Sequence, residues 1–165
     1  MNDAHFHLVI NHFPIILPMV GALILIIGLI AKSDAVKRTG FLMFILGAVS
    51  SIIAMTSGEG AEEIVENMGN IDGYFVHEHE EAAETFALLS YILGALALIG
   101  MWASFAKKKF ANIVTILVLI FAGVTLYFAQ KAGTTGGEIR HTEIRPGQTP
   151  TAQPADSQLE EEYED

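Results

Sequence analysis

The chain has 165 residues, is 52% hydrophobic and still carries a formal net charge of −10; its mean hydropathy is +0.44. It has no Cys, which excludes disulfides, thiolate metal sites, iron–sulfur ligation and covalent haem attachment through a CxxCH motif. The acidic balance argues against nucleic acid as a partner, and no Walker or dinucleotide-type glycine motif is present.

High hydrophobicity and high charge coexist because they fall in separate blocks. The N-terminal stretch Asn2-Asp3-Ala4-His5-Phe6-His7-Leu8 has no basic region, and no small-residue cleavage site follows the first apolar run. That run is therefore expected to be a retained helix rather than a removed signal peptide. Apolar runs cover residues 13–31, 39–56, 86–106 and 110–130, each in the range of roughly 17–25 residues that spans a bilayer. Four such runs in so short a chain leave no polar shell to cover them. The expected fold class is an all-α membrane protein, a four-transmembrane-helix up-down bundle occupying residues 1–145 in the lipid bilayer.

The loop between the first two runs holds Lys32, Lys37 and Arg38, and the loop between the last two holds Lys107, Lys108 and Lys109, together six of the nine basic residues. The positive-inside rule puts these loops in the cytoplasm and both termini in the periplasm of a bacterial inner membrane. Gly21 and Gly28, and likewise Gly40 and Gly47, sit seven residues apart on one helical face, a spacing that lets backbones approach closely or leaves room for a flat cofactor. Gly94, Ala95, Ala97 and Gly100 extend the small-residue pattern to the third run, and Gly123 to the fourth.

After the second run, Ala61, Ile64, Val65 and Met68 recur at helical spacing, which predicts a short periplasmic helix lying on the membrane surface between the second and third spans. Gly69-Asn70-Ile71-Asp72-Gly73 reads as a turn, and His77-Glu78-His79-Glu80-Glu81 leads into the third span. Beyond the fourth run, Gly133 is a plausible helix stop. Ile139, His141 and Glu143 then alternate with Arg140, Thr142 and Ile144, predicting a short post-bundle strand-like segment. Residues 146–165 read as a disordered acidic tail.

On this topology all six histidines, His5, His7, His12, His77, His79 and His141, lie at one end of the bundle. Imidazole ligates haem iron, ligates Zn, Cu or Fe, and relays protons. If the third helix begins near Val76, His77 shares a face with Glu81 and Glu84, while His79 continues the apolar stripe of Ala82, Ala83 and Phe86 and points inward. His12 precedes Phe13-Pro14 at the start of the first span and is also expected to face inward. The strand-like segment would carry His141 back over the bundle, and His5 is expected to be a bystander. Glu59, Glu62 and Glu81 are candidate carboxylate ligands or orienting groups for the imidazoles. The two Glu-x-x-His motifs of ferritin-like di-iron helices, one on each of two helices, are missing.

His7-Leu8-Val9-Ile10-Asn11-His12-Phe13-Pro14 resembles the opening of a bacterial membrane family catalogued as domain of unknown function 2231. Thr56-Ser57-Gly58, His77-Glu78-His79-Glu80 and Gly136-Gly137-Glu138-Ile139-Arg140-His141 resemble its later elements, so the likeness covers about residues 5–145. The chain lacks the Pro usual after the first His, and its last element is more polar than the family form. The resemblance implies four spans. It also implies a redox setting, because relatives are often joined to cytochrome c-like modules or encoded near them.

The leading expectation is a membrane electron-transfer protein holding b-type haem near the periplasmic face. Its axial histidines would be His12 and His79, with His7 and His141 in reserve, and its partners other membrane or cytochrome subunits. The alternatives are a Cu, Zn or Fe ion held by His7, His12, His79 and His141 with a carboxylate, or a non-catalytic accessory subunit. No span carries a charged residue at mid-depth, which argues against a transporter.

Overall fold

The structure is a computed structural model that describes residues 2–67 and 71–147. The described residues are helical throughout, with no strand: α1 (Asp3–Ile10), α2 (Phe13–Ile30), α3 (Asp34–Asn67), α4 (Gly73–Phe105), α5 (Ala111–Arg140) and a 3-10 turn over Thr142–Ile144. Four helices are long and apolar enough to cross a membrane, counting α1 and α2 as one. The fold is thus a multi-pass membrane four-helix bundle, and the apolar runs of the sequence lie inside these helices. Each of α3, α4 and α5 packs on its predecessor, and α2 also meets α5, which closes the ring.

The helices run past the apolar runs at the histidine end. α3 has 34 residues, about 50 Å at ~1.5 Å per residue, against a hydrocarbon thickness of about 30 Å. The separate surface helix expected around residues 61–68 is instead the continuation of α3 to Asn67. α1 packs beside the start of that extension, where a Cβ on Gly58 would meet His7 and one on Gly60 would meet Asp3, and α3 runs on from there without a break. Part of the turn expected at 69–73, and the acidic tail beyond residue 147, lie outside the described residues.

The same overrun replaces the strand-like segment. Gly133 does not stop α5, which continues helical through Gly136 and Gly137 to Arg140. Low intrinsic helix propensity is overridden here by packing: a Cβ on Gly136 would stand 2.9 Å from the His79 ring, and one on Gly137 would stand 3.1 Å from Ile144. Arg145 ties off the helix end. Its Nε donates to the Glu138 carbonyl at 2.7 Å, a terminal nitrogen donates to the Ile139 carbonyl at 3.1 Å, and its guanidinium lies 3.8 Å over the Phe75 ring of α4.

Between α1 and α2 the backbone stays helical at Asn11 and His12, but Pro14 has no N–H to offer the carbonyl one turn back, which loosens the helix there. Asn2 caps α1 by accepting from the His5 amide at 2.9 Å. At the opposite end, α2 and α4 stop with the same device. Ser33 donates to the Gly28 carbonyl and Lys108 to the Ala103 carbonyl, each at 3.0 Å, around left-handed residues Lys32 (φ 50°) and Lys107 (φ 49°). These are Schellman caps in which lysine stands where glycine is usual.

The core forms where small residues let helices touch. A Cβ on Gly21 would lie 3.1 Å from the Gly40 carbonyl, one on Gly94 would lie 2.6 Å from the Ala48 Cβ, and one on Gly100 would lie 2.6 Å from the Phe41 ring. The buried cluster Leu25, Phe41, Phe44, Leu93, Ala97, Val118 and Ala122 fills the interior between these contacts. Gly123 is different: nothing lies within 4 Å of its Cβ position, so the expected packing role does not extend to it. Gly94→Ala is expected to destabilise the bundle by about 1–3 kcal/mol through forced separation of α3 and α4. Gly123→Ala should be neutral or stabilising by up to about 1 kcal/mol. Unfolding in mixed micelles measures both, and equal effects would contradict the packing assigned here.

Candidate functional site

The histidine end is built from four helices. α1 brings His7 against α3, and α4 brings His79 against α5. His7 is half-buried, and its Nδ1 lies 3.1 Å from the Ala54 carbonyl and 3.1 Å from the Ser57 hydroxyl. Ser57 itself donates to the Ala54 carbonyl at 3.0 Å. A carbonyl oxygen can only accept, so Nδ1 of His7 carries the proton. Nε2 then keeps its lone pair.

His79 repeats the arrangement on the other side. Its Nδ1 lies 3.3 Å from the Thr135 hydroxyl, and Thr135 donates to the Ala132 and Lys131 carbonyls at 3.1 and 3.2 Å. With the hydroxyl proton directed to the helix, the imidazole is again the donor and Nε2 is again the free nitrogen. The stripe expected for this face is present, since Ala82 and Phe86 are buried below His79. They join Ala129 and Ala132 of α5 in a second apolar cluster that floors the site. The two imidazoles lie within electrostatic reach of one another.

Imidazoles held in this way could ligate through Nε2. A metal-binding His generally donates its second ring nitrogen to an oxygen acceptor, which fixes the tautomer and the ring orientation and raises the basicity of the free nitrogen. Gly136 makes room for the His79 ring, since a Cβ there would stand 2.9 Å from its Cε1, whereas a Cβ on Gly58 would meet the His7 Cε1 at 3.5 Å, an ordinary contact. Asn11, one turn beyond His7 on the same face, has its side-chain oxygen buried and without a hydrogen-bond partner. A buried partnerless acceptor beside a ligand-ready imidazole points to a polar group or water received at this mouth.

The remaining expected site residues fall elsewhere. His12 is exposed at the joint of α1 and α2 and does not face inward; the loosened turn leaves Pro14, not His12, on the buried side. The imidazole that His79 senses is that of His7. His141 follows the end of α5 instead of riding a strand over the bundle. It is exposed and pairs with Glu143 at 2.9 Å, whose own backbone amide, with His141, holds its carboxyl below the usual range. His77 faces the acidic side as expected, at 3.6 Å from Glu80 and 3.3 Å from Glu81, so Glu81 serves His77. Glu59 is exposed, Glu62 is half-buried on α3, and His5 is exposed. Among the described residues, no three or more His, Asp or Glu side chains converge in a group that would hold a metal ion.

Reading the residues in sequence missed Ser57, Thr135 and Asn11. Ser57 and Asn11 stand within the segments that carry the family resemblance, but nothing in their spacing marks a hydroxyl or amide as partner to an imidazole on another helix. The fold and site together define a multi-pass helical membrane protein with two oriented imidazoles at one mouth. A scan against family models, a search of curated proteins and a search of solved structures each found no match.

The tautomers are directly measurable. Nitrogen NMR of histidine-labelled protein at neutral pH should show protonated Nδ1 and unprotonated Nε2 for His7 and His79. Thr135→Val should weaken that bias at His79, where the Ala132 carbonyl remains, while leaving His7 unchanged. The opposite tautomer in the unsubstituted protein would contradict the site.

Proposed function

We propose that this chain is a membrane redox protein in which His7 and His79 are the axial ligands of a b-type haem at the histidine end. The observation that carries the reading is the paired geometry: two half-buried imidazoles from different helices, each with Nδ1 tied to a helix oxygen and Nε2 left free. A haem of the bis-histidine electron-transfer type takes two such ligands from the protein, whereas a Zn, Cu or Fe ion held by protein side chains alone takes three or more. The residues present therefore fit haem better than a metal ion. When bound, a haem would supply one-electron exchange. The chain's own residues hold the rings in orientation through Ser57 and Thr135, and Ala82, Phe86, Ala129 and Ala132 give the low-polarity floor that axial ligation favours. Asn11 supplies a buried polar contact at the same mouth.

The resemblance to the domain of unknown function 2231 family is consistent with this redox setting. By the positive-inside rule the lysine-rich loops face the cytoplasm and the histidine mouth faces the periplasm of a bacterial inner membrane. No histidine lies at the other depth of the bundle, so the chain exchanges electrons at one face and relies on other membrane or cytochrome subunits to carry them further.

An absorption spectrum of the protein purified from haem-sufficient cells tests the reading. Soret and α bands are expected, sharpening on reduction. His7→Ala and His79→Ala should each abolish them, and His12→Ala and His141→Ala should leave them in place. Acidification through the imidazole range should release the group, because only neutral imidazole ligates. Bands that survive in both His7→Ala and His79→Ala, or protein free of haem but stoichiometric in metal, would overturn the proposal.

A further inference from the structure

The opposite end of the bundle holds a charge arrangement that the haem reading leaves unused. A depression of about 500 Å³ opens between the ends of α2 and α4 and the starts of α3 and α5. Lys32, Lys37, Lys107, Lys108 and Lys109 line it, with Asp34 as the one carboxylate among its lining residues, a local charge of +4. Asp34 is engaged with Lys37 at 2.7 Å. Lys37, buried in the wall, also donates to the Asn112 side chain at 2.8 Å. These two bonds make Lys37 a fixed part of the wall and take up the only carboxylate there. Four further lysines then share one small concavity, where their mutual repulsion favours a bound anion.

The surroundings indicate what kind of anion. Leu29 is part of the lining, and its neighbour Ile30 is 78% exposed. Ile113, next to Asn112 on α5, is also exposed, so apolar helix surface runs away from the lysines toward the bilayer centre. Trp102, Phe105 and Phe110 are exposed at the same level, and Lys108 stands 5.4 Å over the Trp102 ring. Exposed aromatics next to basic residues mark the headgroup depth of a membrane. The concavity therefore lies at headgroup depth, with charged groups above and an acyl-chain surface below. The caps reinforce this: Lys32 and Lys107 occupy left-handed positions where glycine is the usual residue, and both side chains line the depression.

We propose that this depression binds the phosphate headgroup of an anionic phospholipid, whose acyl chains lie along the exposed faces of α2 and α5. Basic pockets between transmembrane helix ends are suited to such headgroups. A free phosphate shares the headgroup chemistry but gains nothing from Leu29, Ile30 or Ile113, so the lipid is the favoured source.

Native mass spectrometry of the full chain in detergent tests this, with phosphatidylglycerol, cardiolipin, phosphatidylcholine of matched chains, and inorganic phosphate each added separately. The anionic lipids should remain bound with at least about tenfold preference over phosphatidylcholine, and inorganic phosphate should not displace them at equal concentration. Replacing Lys32, Lys107, Lys108 and Lys109 by Gln, with Lys37 left intact, should weaken retention by about tenfold or more. Lys131→Gln, at the histidine end, should not weaken it. If the fourfold variant does not fold, Lys109→Gln alone together with the salt dependence of retention in the unsubstituted protein provides the test; both should show weakening. Equal retention of phosphatidylcholine, displacement by inorganic phosphate, or retention unchanged by the substitutions would overturn the proposal.

Discussion

Everything at the histidine mouth depends on how closely α3 approaches its neighbours. Lipid offers no hydrophobic drive between helices, so association rests on van der Waals contact, and the tightest contact comes where a side chain is missing. Gly21 and Gly40 let α2 and α3 meet backbone to backbone, and Gly94 receives the Ala48 methyl at the contact between α3 and α4. α3 is thereby the hub, in contact with α1, α2 and α4. Its extension beyond the apolar run gives α1 a surface to lie on, with Gly58 and Gly60 beneath His7 and Asp3. Without that extension His7 would lose the Ser57 hydroxyl and keep only the Ala54 carbonyl near the end of the apolar run.

The same logic governs the other side of the mouth. α5 stays helical past its glycines and so carries Thr135 to His79, and Arg145 fastens the end of α5 to Phe75 of α4. Both imidazoles thus rest where the apolar runs give way to the helix extensions, His7 on Ala54 and Ser57 and His79 on Thr135, each with a hydroxyl whose own proton is directed to the helix backbone. Two segments far apart in the chain reach the same chemical solution, which is why the pair reads as one site and not as two separate interfacial histidines.

The bundle was legible in the sequence because its signal is coarse: four apolar runs, joined in two pairs by short basic loops, admit few other arrangements. The glycine spacing in α2 and α3 also translated directly into contacts, as did the acidic environment of His77 and the inward stripe under His79. Where expectation and structure part, the cause is tertiary. Ala61, Ile64 and Val65 carry a surface-helix pattern, but they are half-buried residues of one unbroken α3. Ile139, His141 and Glu143 alternate like a strand, yet α5 continues because its glycines allow a close fit to His79. His12 had the more suggestive local context, beside Phe13-Pro14, but Pro14 takes the buried position and His7 the one hydrogen-bonded to α3. Partners such as Ser57 and Thr135 are common residues whose role exists only once two helices are side by side, and no single-chain pattern announces them.

The account turns on two imidazoles meeting one group at a single mouth. Low-temperature electron paramagnetic resonance of the oxidised protein examines this most directly, because the spin state of ferric haem reports its axial ligands. The account predicts a low-spin signal of the bis-imidazole type. A high-spin signal, or oxidised protein with no haem signal at all, would contradict it.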